Sequence, residues 1–227
     1  MFVLNLKAYP NCLGAGAAAI GGSLAKQARH LGISAVLCPS APDLGTLAAA
    51  LPIPVLAQHT DPDEPGARTG TIVAEAVAAA GAAGSLLNHS ERPLSEEEVG
   101  RAVARLESVR LVPVVCARDV DNSRLLARFH PAYLAVEPPE LIGGDRSVAT
   151  AQPEIVRDAV AAVREVSPTT QVLCGAGVRD RNDVRIALEL GAVGVLVASA
   201  VTRVADFDEA IGELLAGYPT RRAAPRG

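Results

Sequence analysis

Short apolar runs alternate along this chain with stretches of helical spacing, and the alternation completes eight times. That rhythm constrains the fold more than any single residue. Successive strands joined through a helix must pair in parallel, in a sheet that the helices cover. The strand-like runs are Phe2 to Lys7, Ser34 to Cys38, Pro54 to Gln58, Ser85 to His89, Leu111 to Cys116, Tyr133 to Glu137, Gln171 to Cys174 and Val193 to Val197. Helical windows follow them at Gly14 to Leu31, Pro42 to Leu51, Thr71 to Ala82, Ser95 to Ser108, Asp121 to Arg128, Pro153 to Val166, Arg181 to Leu190 and Asp206 to Leu215. Units of roughly 28 residues fit an α/β fold, a single (β/α)8 barrel at the short end of its size range. The residues are 49% apolar but only 3% aromatic, with no tryptophan, so the core must be built from Ala, Val, Leu and Ile, as buried parallel strands are.

No Pro/Ser/Gly linker or charge run divides the 227 residues. One barrel over residues 1–216 is expected, then a polar, frayed tail over 217–227. The formal net charge of −4, with signs interspersed, gives no footprint for nucleic acid or an anionic membrane, so a small diffusible partner is expected. The first residues lack a basic region and a signal-peptide apolar stretch, and no apolar run approaches a membrane span, so a cytoplasmic protein is expected. Cys12, Cys38, Cys116 and Cys174 are widely spaced with no Cys-x-x-Cys pair. They read as small core hydrophobes.

Local patterns refine the outline. Alternation in the first strand puts Val3, Asn5 and Lys7 on one face and Phe2, Leu4 and Leu6 on the other. Gly32 stops the first helix, and Ser95-Glu-Glu-Glu98 reads as a capping box opening the fourth. The connection His59 to Gly70 is long for a strand-to-helix loop and carries a Gly66-Ala-Arg-Thr-Gly70 tip.

Chemistry concentrates around Leu134-Ala-Val-Glu-Pro-Pro-Glu-Leu-Ile-Gly-Gly-Asp145. Ala135 and Glu137 share one strand face, Leu134 and Val136 the other, and Pro138 ends the pairing with Glu137 at the strand tip. Glu140 to Ser147 joins Leu141 and Ile142 to Gly143-Gly144, the composition of a lid over Glu137. Barrels of this kind place their active sites at the C-terminal strand tips. Here those tips carry Asn5 and Lys7, Gln58, Asn88-His89-Ser90-Glu91, Glu137, Gly175-Ala176-Gly177 and Ala198-Ser199. A carboxylate, an imidazole, a lysine and amides converge, and the last two tips offer backbone N–H groups for a phosphate. The set suits proton transfer on a phosphorylated carbonyl compound. Taken singly, Lys7 reads as a snorkelling strand end, His89 as a rim histidine, Glu91 as a helix start, and Arg92 and Arg146 as surface charges.

In this order the motifs resemble the triosephosphate isomerase family, in its compact archaeal-type branch, from Met1 to about Leu215. The matching pieces are Asn5-Leu-Lys7, Asn88-His89-Ser90-Glu91, the Glu137-Pro-Pro-Glu-Leu-Ile-Gly143 lid and the closing glycine tips. The resemblance implies interconversion of glyceraldehyde 3-phosphate and dihydroxyacetone phosphate through an enediolate, without metal or organic cofactor. Glu137 would be the base moving a proton between C1 and C2, and His89, kept neutral by backbone amides of the following turn, the electrophile at the carbonyl. Lys7 would supply positive charge, Asn5 a hydrogen bond, and Glu91 a buried partner for Lys7. Gly143, Gly175, Ala176, Gly177, Ala198 and Ser199 would hold the phosphate. A threonine such as Thr69 enters a neighbouring subunit in that family, which implies a homodimer or homotetramer.

The chain departs from the family in places. Cys174 and Gly177 stand where many members carry a tyrosine and a serine that latch the closed lid, Ala198-Ser199 replaces paired glycines, and Thr71 replaces a common glutamate. Asp145 replaces the lid's second glycine and sets a negative charge near the expected phosphate, so it must turn away or pair with Arg146 or Arg179. Two other functions fit the same rim, isomerisation of a longer sugar phosphate and a phosphate-binding barrel without catalysis. A Schiff-base aldolase fits worse, since the only lysines are Lys7 and Lys26.

Overall fold

The computed structural model describes residues 1–138 and 148–219. Eight parallel strands form one sheet: β1 (Phe2–Asn5), β2 (Ala35–Cys38), β3 (Leu56–Ala57), β4 (Gly84–Leu87), β5 (Val112–Ala117), β6 (Tyr133–Val136), β7 (Gln171–Cys174) and β8 (Gly194–Val197). They run in the order β2-β1-β8-β7-β6-β5-β4-β3. A parallel bridge between Leu37 and Val55 joins the two ends, so the sheet closes on itself as a (β/α)8 barrel. The connections contain α1 (Ala15–Leu31), α2 (Leu44–Ala50), α3 (Ala74–Ala79), α4 (Glu96–Ser108), α5 (Val120–Leu126), α6 (Val148–Ala151), α7 (Pro153–Val166), α8 (Arg181–Glu189), α9 (Ser199–Thr202) and α10 (Phe207–Leu215).

Strand alternation divides the core in two. Val3, Val36, Cys38, Leu56, Leu86, Val114, Cys116, Ala135, Leu173 and Leu196 fill the barrel interior. Phe2, Leu4, Leu6, Leu134 and Val136 lie between sheet and helices. The faces expected for the first and sixth strands are those observed. All four cysteines are free and buried.

The elements also follow the local signals. Gly32 ends α1 in the left-handed conformation at φ 66°. Ser95 Oγ accepts from Glu98 N at 3.3 Å while Glu98 Oε2 accepts from Ser95 N at 2.8 Å, the expected capping box. Two outcomes differ. β3 is shorter than the run Pro54 to Gln58, and Pro54 at its start brings no N–H to a ladder. The packed chain also runs past residue 216: Tyr218 donates its hydroxyl to Met1 O at 2.6 Å, and a Cβ on Gly217 would lie 2.4 Å from Arg181 O, while residues 220–227 of the expected tail lie outside the described residues. α6 and α9 are too short for helical spacing to show in sequence.

Candidate active site

The tip of β1 is clasped from two sides. Lys7 sits in the left-handed region at φ 53°, its N–H donating to Asn5 Oδ1 at 3.0 Å. Gln58 Nε2 approaches Asn5 Oδ1 at 3.1 Å and the carbonyls of Lys7 and Cys38 at 3.0 Å each. The buried Asn5 thus shapes the Lys7 turn through its side-chain oxygen. Lys7 Nζ meets Glu91 Oε1 at 2.6 Å, with side-chain exposures of 14% and 57%. The pairing is the expected one, but Glu91 is not buried: it stands on the turn after β4, where water reaches its carboxylate.

Asn88 opens that turn at φ 57°. Its Nδ2 donates to Cys116 O and its Oδ1 accepts from Leu94 N, both at 2.9 Å. The turn aims the Glu91 N–H at Nδ1 of the buried His89, 3.1 Å away. With that lone pair engaged, the neutral ring carries its proton on Nε2. Burial, reinforced by the charge of Lys7 and opposed by Glu91, holds the imidazole below its ordinary pKa. A ring so placed donates from Nε2 without becoming a cation.

Glu137 follows β6, its N–H donating to Ala117 O at 2.7 Å. Its side chain is 3% exposed, with Oε1 3.9 Å from His89 Nε2. Burial raises the carboxyl from 4.5 to about 7, against the opposing pull of a hydrogen bond from Cys116 and the charge of Lys7. Near neutrality such a group both takes and returns a proton at low cost. Cys116 is the residue that sequence reasoning passed over. It is an inward core thiol, yet it lines an opening with Glu137 and acts on the acidity of its carboxyl, a nearness that depends on the β5–β6 register pairing Cys116 with Ala135.

Lys7, His89 and Glu137 line a cavity of about 430 Å³ whose other walls include Gly175, Gly177, Ala198 and Ser199. Tyr9, which no motif singled out, completes one side. Ser199 opens α9, so its amide begins a helix with no partner inside it. Ala176 does not join this wall. It is buried outside the barrel sheet and its amide turns toward the Cys174 thiol. The lid, with Gly143, Asp145 and Arg146, lies outside the described residues. Arg179 meets Asp183, through its N–H at 3.0 Å and through Nε at 3.7 Å.

A second opening of about 830 Å³ adjoins the first across Lys7 and is lined by Asn5, Gln58, His59, Glu91 and Arg92. Behind it Asp61 ties down the long third connection. It accepts from Ile72 N at 2.7 Å and meets His59 Nε2 at 3.0 Å, while Arg92 Nη2 stands 3.9 Å away. Arg92, read from sequence as a surface charge, is exposed but has this carboxylate as neighbour.

Residues 1–214 match the sequence model of the family described as Triosephosphate isomerase. The triosephosphate isomerase of Caldivirga maquilingensis is 42% identical over 214 residues, covering 94% of this chain and 95% of that protein. That of Methanopyrus kandleri is 42% identical over 217 residues, covering 95% and 96%. That of Methanocaldococcus jannaschii is 39% identical over 215 residues, covering 95% and 98%.

Proposed function

The chain belongs to the triosephosphate isomerase family, and we propose that its proton transfer between glyceraldehyde 3-phosphate and dihydroxyacetone phosphate runs through Glu137 and His89. Interconversion of the two triose phosphates is the activity the family and its relatives support. From dihydroxyacetone phosphate, the Glu137 carboxylate removes a proton from C1, and the electron pair left behind makes the carbonyl an enediolate. His89 Nε2–H stabilises the oxygen that gains charge and passes a proton between O1 and O2. Glu137 then returns its proton to C2, and an aldehyde remains at C1. Lys7 opposes the negative charge of enediolate and phosphate, and Asn5 holds the Lys7 turn. Gly177, Ala198 and Ser199 present the phosphate end.

The observation that carries this reading is the buried carboxylate 3.9 Å from a ring nitrogen that holds a proton, on one cavity with Lys7. A coupled assay with each triose phosphate tests it: wild type interconverts both, and Glu137→Gln loses at least about 1,000-fold in kcat. Retention of activity by that variant removes Glu137 from the mechanism.

The reading includes a homo-oligomer in which the exposed Gly66–Gly70 tip of one subunit enters the second opening, beside Lys7, of another. Sedimentation of the wild type and of a variant with this tip shortened checks it, and a fully active monomer contradicts it. Action in the cytoplasm belongs to the same proposal, supported by four unpaired cysteines among the described residues. No helix of the described residues is long and apolar enough to cross a membrane.

A further inference from the structure

The structure assigns Gly175 a role other than holding phosphate: its missing side chain is the slot in which the Glu137 side chain lies, so Gly175 positions the base. Gly175 follows β7 and donates its N–H to Val136 O at 3.0 Å, which continues the β6–β7 ladder by one step. The ladder pairs Val136 with Cys174, so Glu137 and Gly175 are the next neighbours. Ala135 and Leu173 point into the barrel, and two-residue alternation aims positions 137 and 175 the same way. Two inward side chains would compete for one space. A Cβ on Gly175 would stand 2.4 Å from Glu137 Cγ and 3.1 Å from both Cδ and Oε1.

Cγ is one bond from the Glu137 Cβ, so the overlap cannot be relieved by bending the far end of the chain. It needs a change of χ1, which swings the whole carboxylate. Room for it exists on the other side, in an opening of about 620 Å³ lined by Asn88, Ser90, Cys116, Arg118 and Asn122, to which Glu137 also contributes. A carboxylate turned there leaves His89 Nε2 and approaches the exposed Arg118 guanidinium. The titratable groups around it are then Cys116 and Arg118, whose Nε stands 3.2 Å from Asp119 Oδ2, with Lys7, His89, Glu91 and Cys174 left on the cavity side.

The inference rests on Glu137 as the base, and Gly175→Ala tests it by two independent readouts. In kinetics, kcat should fall about 100-fold, as for a displacement of about 1 Å, while KM and the inhibition constant for inorganic phosphate stay within about twofold. The acid limb of the kcat/KM profile should move below its position near pH 7, because the displaced carboxylate is solvated and faces Arg118. In stability, Gly175→Ala should lower Tm in the wild-type background and leave it unchanged or raised beside Glu137→Ala, where the clashing Cγ is gone. An equal drop of Tm in both backgrounds overturns the slot. A raised phosphate inhibition constant with an unmoved acid limb returns Gly175 to the phosphate wall. If the stability coupling holds while Glu137→Ala keeps full activity, the packing is right and the assignment of the base is wrong.

Discussion

Replacing Glu137 by glutamine should make this protein more stable above neutral pH while removing its activity. Burial raises the folded-state pKa from 4.5 to about 7, so between those values the folded chain holds a proton that the unfolded chain has released. Stability therefore falls as pH rises through that window and stays low above it. The difference corresponds to about 3 kcal/mol at pH 8, from 1.36 kcal/mol per pKa unit. Glutamine is uncharged in both states and keeps the volume. That gain of about 3 kcal/mol should raise Tm by roughly 6–12 °C at pH 8 for a domain of this size. At pH 4 both carboxyls are protonated and the gain should vanish. Calorimetry of wild type and variant from pH 4 to 8 measures it. A Tm difference independent of pH, or a variant less stable at pH 8, refutes the view that the folded protein keeps a costly buried carboxylate.

Glu137→Asp withdraws the carboxylate by one methylene and should lower kcat by about 100-fold or more with little change in Tm; activity within tenfold of wild type argues against tight placement of the base. Because Glu91 is mostly exposed, Glu91→Gln should shift Tm by no more than the small amount an exposed ion pair contributes, whereas Lys7→Ala should be close to inactive in the coupled assay. A large loss of stability in Glu91→Gln contradicts the exposed geometry. Asn88→Ala removes two hydrogen bonds and a residue suited to positive φ, and should cost about 2–3 kcal/mol in urea unfolding, with Asn88→Gly recovering only the backbone part. Equal stability of the two variants would show that the left-handed turn is not strained.

The strand–helix rhythm, the inward face of Val3 and Asn5, the capping box at Ser95 and the placing of Glu137 at a strand end were all legible in the sequence. Each depends on residues a few positions apart, through a period of two, a period of 3.6 or a cap, and such rules act within one segment. The resemblance added which tips carry the chemistry. What neither supplied is how the tips meet. The resemblance pairs Lys7 with Glu91, 84 positions apart, but the structure alone puts that pair at the rim with one partner in water. Ala176 turns from the cavity while its neighbours Gly175 and Gly177 line it. Cys116 reaches the carboxylate that its own strand pattern cannot foresee, and Gly175 yields the space that Glu137 occupies. These contacts are set by the register between strands and by the closure of the ring, which add up over all eight β-strands and leave no trace in any one of them.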